Sequence, residues 1–316
     1  MPKISREDIH LINAHSDWTE NELSAVLQRH IYPDPKNWKR FIQLFMITLG
    51  VGFATAGTVF FFAYNWNGMS KFLKLGLAEL MIVISVVIPM LPGLKTDARK
   101  IISSAAPVLI GALLLVYGQV YQTPALEYDF FLQWLIFSTL WVLVSDFAPL
   151  WLLYLILLHA TIISYMDHVQ KNSSATSIFL YLSALDCALY LFSLMLSSWK
   201  KVIIPKWFMQ CLTIAATLFA TMGISLGIHR KLDTEFALLC SGTLFSFALG
   251  LKTAVQQKST FLLSLIPLSI IIIISSLLLK ISNSQFMMLL TGLFIVFSIT
   301  AVIWLLIQVQ KKDANG

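Results

Sequence analysis

Ten stretches of mostly apolar residues recur along the chain, at about 41–64, 72–91, 101–119, 130–146, 149–166, 176–197, 207–228, 234–251, 260–279 and 285–309. Short polar clusters separate them. Runs of about 20 apolar residues match helices that cross a hydrocarbon layer about 30 Å thick. Membrane-spanning strands would alternate apolar and polar positions, and these runs do not. The pattern predicts an all-α fold: a polytopic membrane helix bundle of about ten spanning helices.

The segment before the first run is polar. Ser5-Arg6-Glu7-Asp8 and Thr19-Glu20-Asn21-Glu22 each place a hydroxyl three residues ahead of a carboxylate, the pattern that caps a helix start. They predict short helices over about 5–15 and 20–31, the second ended by Pro33 and Pro35. Residues 1–40 are therefore expected to form a helical hairpin on the membrane surface, or a module that docks a partner. Trp38, Lys39 and Arg40 form its interfacial anchor. No cleavable leader is visible, so the first spanning helix is expected to act as its own insertion signal. Residues 310–316 form a short tail.

Several features within the runs point to helix packing. Gly50, Ala54 and Gly57 share one face of the first helix, and Gly52 and Ala56 another. Gly223 and Gly227 make a GxxxG in the seventh, and small residues let helices approach closely in lipid. Gly223 to Gly227 also spells GxSxG. That nucleophile pattern needs a strand-turn-helix setting, and here it lies in an apolar helix. Pro107 and Pro267 lie inside spans, where Pro267 frees the carbonyl of Leu263. Pro149 suits the first turn of a helix after the Ser145–Ala148 junction.

Composition agrees with a membrane protein. Of 316 residues, 58% are hydrophobic and 12% charged, about half the charged share of a soluble domain. The net charge of +6 does not indicate nucleic acid, because the basic residues sit in loops and are not interleaved with aromatics on one face. It reports orientation instead. With the N-terminus inside, the inner flanks hold Arg29, Lys36, Lys39, Arg40, Lys95, Arg99, Lys100, Lys200, Lys201, Lys206, Lys252, Lys258, Lys311 and Lys312. The outer flanks hold Lys71, Lys74, Lys171, Arg230, Lys231 and Lys280. This excess predicts both termini in the cytoplasm and the 120–129 loop outside. Cys187, Cys211 and Cys240 lie in apolar runs without a CxxC, so neither a disulfide framework nor a zinc site is expected. HExxH, Walker A and GxGxxG are missing, and no catalytic residue, metal or cofactor is assigned.

Two stretches carry a family resemblance. Phe60 to Glu79 reads FFFAYNWNGMSKFLKLGLAE, a helix ending in Asn-Trp, a short turn and a Lys-containing restart. Leu109 to Trp141 holds GQVYQ, a polar loop and the LQW start of the next helix. Together with the polar N-terminal segment they resemble the bacterial predicted multi-pass membrane proteins grouped as domain of unknown function 2157, over about residues 5–165. The resemblance implies a bacterial inner-membrane location and no particular chemistry.

Two sets of residues are candidates for function. The outer rim combines Tyr64, Asn65, Trp66 and Asn67 with Gln119, Tyr121, Gln122, Glu127 and Asp129. An aromatic belt with solvated loop residues is one reading; an acidic, aromatic mouth for a cation, a sugar-like ligand or a partner is the other. Gln119 and Gln122 share a helix face if the helix continues that far. The second set is Glu79, His159 and Asp186, ionisable residues inside apolar runs that are expected to face the bundle interior or a wet cavity. They lie roughly 10–15 Å below the outer ends of their helices, and His159 and Asp186 sit on successive helices. A buried structural pair and a proton-coupling site are both open. Three functions follow in order: a non-enzymatic membrane protein meeting a protein partner or small ligand at its outer face, a secondary transporter or channel using the intramembrane set, and an intramembrane enzyme on a lipid-linked substrate.

Overall fold

The structure is a computed structural model that describes residues 19, 35–65, 68–122, 126–168, 174–200, 204–230, 233–256, 259–281 and 284–314. The expected hairpin over 5–31 falls almost wholly outside the described residues. Among the described residues there are eleven α-helices: α1 Pro35–Asn65, α2 Lys71–Val87, α3 Thr96–Ser103, α4 Ala105–Tyr121, α5 Glu127–Ser145 and α6 Ala148–His168. Then come α7 Ala175–Lys200, α8 Lys206–Ile228, α9 Thr234–Gln256, α10 Thr260–Ile281 and α11 Gln285–Ala314. Among the described residues there is no strand, and ten helical segments are long and apolar enough to cross a membrane. All ten expected spans are present, most of them a few residues longer at their ends.

The third span, Thr96–Tyr121, has an internal break. Helix α3 ends at Ser103 and α4 starts at Ala105. Pro107 explains the position: it has no N–H to give, and its ring crowds the carbonyl four residues back, which is that of Ser103. Pro107 thus falls in the first turn of α4, where proline is tolerated, and not within a continuous helix. The Ser104 N–H closes α3 on the carbonyls of Lys100 (3.1 Å) and Ile101 (3.2 Å). By contrast α10 is unbroken through Pro267.

The chain forms two compact units. Residues 1–124 and 136–147 make the first, and residues 125–135 and 148–316 the second, so α5 contributes to both. In the first unit α2 packs on α4, with Ala78 against Val116 and Val120. Lys74, one turn away on that face, is buried too, and is not the loop charge that its place in the sequence suggests. Helix α1 touches α3 and α4 but buries none of its span. A Cβ added at Gly50, Gly52 or Gly57 would meet open space, so these glycines do not hold helices together within the chain. Ala54 and Gly57 instead line an apolar groove of about 420 Å³ with Phe61, Leu77 and Met81.

Charged contacts tie the ends of these helices. Arg40 of α1 meets Asp97 of α3 at 2.5 Å. Arg99 donates to the Leu91 carbonyl (3.3 Å). Lys100 donates to the carbonyl (2.6 Å) and carboxylate (3.3 Å) of Asp146. Asp146 follows the last residue of α5 with φ +45°, the left-handed position that ends many helices, and a cation there also answers the negative end of the helix dipole.

The second unit is built around α8. Helix α8 lies against α7, α9 and α10. A Cβ on Gly223 would come within 2.6 Å of the Phe179 Cβ and 2.7 Å of Leu239. One on Gly227 would enter the Phe236 ring at 2.4 Å. The GxxxG therefore packs as expected, and Ile224, Ile228 and Leu239 form a core beside it. Side chains cap the helix starts. Asp233 accepts from the Phe236 N–H (2.7 Å), and Glu235 accepts from the hydroxyls of Ser174 (2.8 Å) and Ser177.

Candidate functional site

The residues of the outer rim have separate fates. Asn65 is the last residue of α1, and Trp66 and Asn67 lie outside the described residues. Helix α4 ends at Tyr121, and Gln122 takes the left-handed cap position (φ +49°), its N–H bonding the Gly118 carbonyl. The helix therefore stops before Gln122 can share a face with Gln119. Gln119, Tyr121 and Gln122 are all exposed, and the Tyr121 ring leans on Tyr117 with centroids 4.7 Å apart. Glu127 and Asp129 belong to the first turn of α5, not to a loop. Two carboxylates there oppose the positive end of the helix dipole, which gives them a local structural role. They fall in the second unit, and the α1 and α4 residues in the first.

The intramembrane set also divides. Glu79 is exposed on α2 in the first unit, because Lys74, Ala78 and Ser85 occupy the face turned to α4. It does not face an interior, contrary to expectation. His159 on α6 and Asp186 on α7 do meet, in the second unit. His159 Nε2 lies 3.0 Å from Asp186 Oδ1. The Asp186 side chain is 0% exposed and that of His159 is 11%. Phe219 of α8 closes over the imidazole, with ring centroids 5.0 Å apart and planes at 65°.

The pair forms because α6 and α7 are successive antiparallel helices. Residues similarly far from the connecting loop fall at similar depth, at about 1.5 Å per residue. A carboxylate only accepts hydrogen bonds, so an ionised Asp186 requires a proton on His159 Nε2. One Asp186 oxygen is held in this way. The other, Oδ2, is buried and has no hydrogen-bond partner. An unsatisfied carboxylate oxygen in an apolar interior is costly unless the group gains a proton, a water or a cation. The pair is thus left with one acceptor oxygen unsatisfied.

Sequence reasoning missed two polar contacts here. Glu235 bridges the starts of α7 and α9; its signal is Ser174-x-x-Ser177 together with a carboxylate two residues after Asp233. On α8, Ser225 of the GxSxG pattern has a buried hydroxyl without a partner, while its carbonyl accepts from Ser276 of α10 (3.1 Å). The Ser276 hydroxyl in turn lies 3.2 Å from His229 Nε2.

No curated protein and no solved structure matches the chain. The resemblance to a family, however, is found over much of the first unit: residues 19–151 match the family model described as Predicted membrane protein (DUF2157).

Proposed function

We propose that the protein is a proton-linked secondary transporter or channel, with His159 and Asp186 as its proton-exchange site. The observation behind this reading is the Asp186 carboxylate, which is 0% exposed, bonded to His159 through one oxygen and unpartnered at the other. Ionisable residues are rare inside membrane helices and concentrate where protons or ions pass. Histidine changes charge near neutral pH when its surroundings permit, which suits it to such a relay. Glu79 drops out of the site because it is exposed on α2.

The protein sits in the inner membrane with both termini cytoplasmic. Support comes from the excess of Lys and Arg on the N-terminal side of the membrane. The ion pairs Arg40–Asp97 and Lys100–Asp146 agree, since each joins residues that this topology puts at the same surface. An outer-face partner is a second reading, favoured by the exposed Tyr121 and Gln122 at the end of α4. It places contact at the rim and leaves His159 and Asp186 a structural pair.

Infrared difference spectroscopy of the reconstituted protein, between about pH 5 and pH 9, separates these. Proton exchange at the pair predicts a buried carboxyl band that vanishes in Asp186→Asn and moves in His159→Gln. A spectrum without such a band across the range rejects the proton-linked reading and favours the rim.

A further inference from the structure

Helix α8 carries a second polar feature, on a different face from the one that meets His159. Thr213, Thr217, Thr221, Ser225 and His229 follow one another at a spacing of four residues. Four residues advance a helix by slightly more than one turn, so the five make one inclined ridge about 24 Å long, most of the thickness of the hydrocarbon layer. Thr217 and Thr221 are buried. His229 is exposed at the outer end, where it meets Ser276 of α10.

The ridge has a satisfied part and an unsatisfied part. Thr213 and Thr221 return their hydroxyls to the carbonyls of Met209 (2.9 Å) and Thr217 (2.6 Å). This is the local bond that lets Ser and Thr sit in an apolar helix. Ser225 does not do so: its Oγ is buried with no partner. Its own carbonyl is occupied by Ser276, which can also accept from His229. A polar contact chain therefore runs inward from exposed His229 through Ser276 to the carbonyl of Ser225, the residue whose own hydroxyl lacks a bond. A water molecule or another hydroxyl group is the chemistry that would satisfy it.

We propose that this ridge lines a hydrated path, open at His229, for water and small uncharged hydrogen-bonding solutes. Below His229 it offers hydroxyls and no charge, so it gives ions no compensation for losing their water. Thr217 lies as far from the outer end of α8 as Asp186 lies from the outer end of α7, roughly 17 Å. Phe219, two residues from Thr217 and about 200° round the helix, packs on His159. Helix α8 then has the path on one face and the proton pair on another, an arrangement that lets occupancy of one bias the other. This deepens the transporter reading and rests on it for its purpose, but the existence of the path is tested separately.

The test is thiol accessibility. Thr217→Cys, Thr221→Cys and Ser225→Cys are made singly in a chain whose Cys187, Cys211 and Cys240 are changed to Ala. A charged, membrane-impermeant methanethiosulfonate is applied to intact cells and to inverted vesicles. Only the thiolate reacts, and a thiol in a dry interior stays protonated. Labelling is expected from the His229 side, fastest at Ser225→Cys and slowest at Thr217→Cys. All three should exceed Leu218→Cys, which lies at the depth of Thr217 and faces outward. A permeant maleimide on the solubilised, monodisperse protein confirms that each thiol is present. Labelling by the maleimide alone, or rates equal to Leu218→Cys, overturns the path. If the cysteine-free chain does not fold, the same substitutions in the native chain are read site by site by peptide mass spectrometry. Loss of the path with the infrared carboxyl band retained would leave the proton pair standing, and the reverse result would leave a path without it.

Discussion

The two units solve the same problem, holding helices together in lipid, with different materials. In the first, the ion pairs lie at helix ends, and Arg40 and Asp97 are 63% and 44% exposed. The second adds buried polar residues within the spans, His159, Asp186, Thr217 and Thr221, to helix-end contacts such as Ser174–Glu235 and His229–Ser276. The glycines of α1 and α8 differ in the same sense. Gly50, Gly52 and Gly57 face open space, whereas Gly223 and Gly227 sit against neighbouring rings. The difference separates two uses of polarity. At a helix end a charge keeps most of its water, so it sets orientation and adds little binding energy. Inside a span it loses its water, and a missing partner becomes expensive.

That contrast is broken most severely at the buried pair. His159→Ala leaves the Asp186 carboxylate without its one hydrogen bond, and removing one member of a buried pair typically costs about 3–5 kcal/mol. The double change His159→Leu with Asp186→Leu should recover much of that loss, because no buried charge remains. Thermal unfolding in mild detergent checks both. Asp186→Asn should likewise lower stability or yield more than Asp167→Asn, whose side chain is 80% exposed. Equal effects would mean that Asp186 is not buried in the membrane-embedded protein.

The glycines give the next largest effect. The Phe179 Cβ that a Gly223→Ala side chain would strike is fixed to its backbone and cannot swing aside. Overpacking of this kind costs about 1–3 kcal/mol. Gly57→Ala meets nothing and should be neutral, or stabilising by up to about 1 kcal/mol through helix propensity. A large loss at Gly57 would show that its face is covered in the membrane by something outside the chain.

The span count was legible because about 20 apolar residues per run is a length set by the bilayer and not by tertiary contacts. Depth arithmetic brought His159 and Asp186 together for the same reason: successive antiparallel helices conserve depth. It misjudged Glu79, since depth says nothing about rotation, and the α2 face toward α4 was taken by Lys74 and Ala78. Small-residue stripes in α1 and α8 looked alike in sequence, and only packing distinguished them. At Ser225 the GxSxG spelling carries no structural meaning, and its place is set by the ridge at four-residue spacing from Thr213 to His229. The α3–α4 break falls where Pro107 crowds the Ser103 carbonyl, but the unbroken α10 at Pro267 shows that a proline alone does not place a break.

The smallest effects belong to the helix-end charges, and they distinguish two kinds of contact there. Lys100 is 29% exposed at its side chain and serves a backbone carbonyl as well as a carboxylate. Lys100→Met should cost about 1 kcal/mol, because the left-handed end of α5 at Asp146 loses its cation. Arg40→Gln removes an exposed pair and should cost about 0–1 kcal/mol. Salt is the sharper probe. Raising ionic strength from about 0.1 M to 1 M shortens the screening length from about 10 Å to 3 Å and should erase the Arg40 effect. The part of the Lys100 effect that comes from the carbonyl bond should persist, because it rests on a short directed contact. If both effects vanish together, Lys100 acts only as a surface charge and α5 is closed by Asp146 without it.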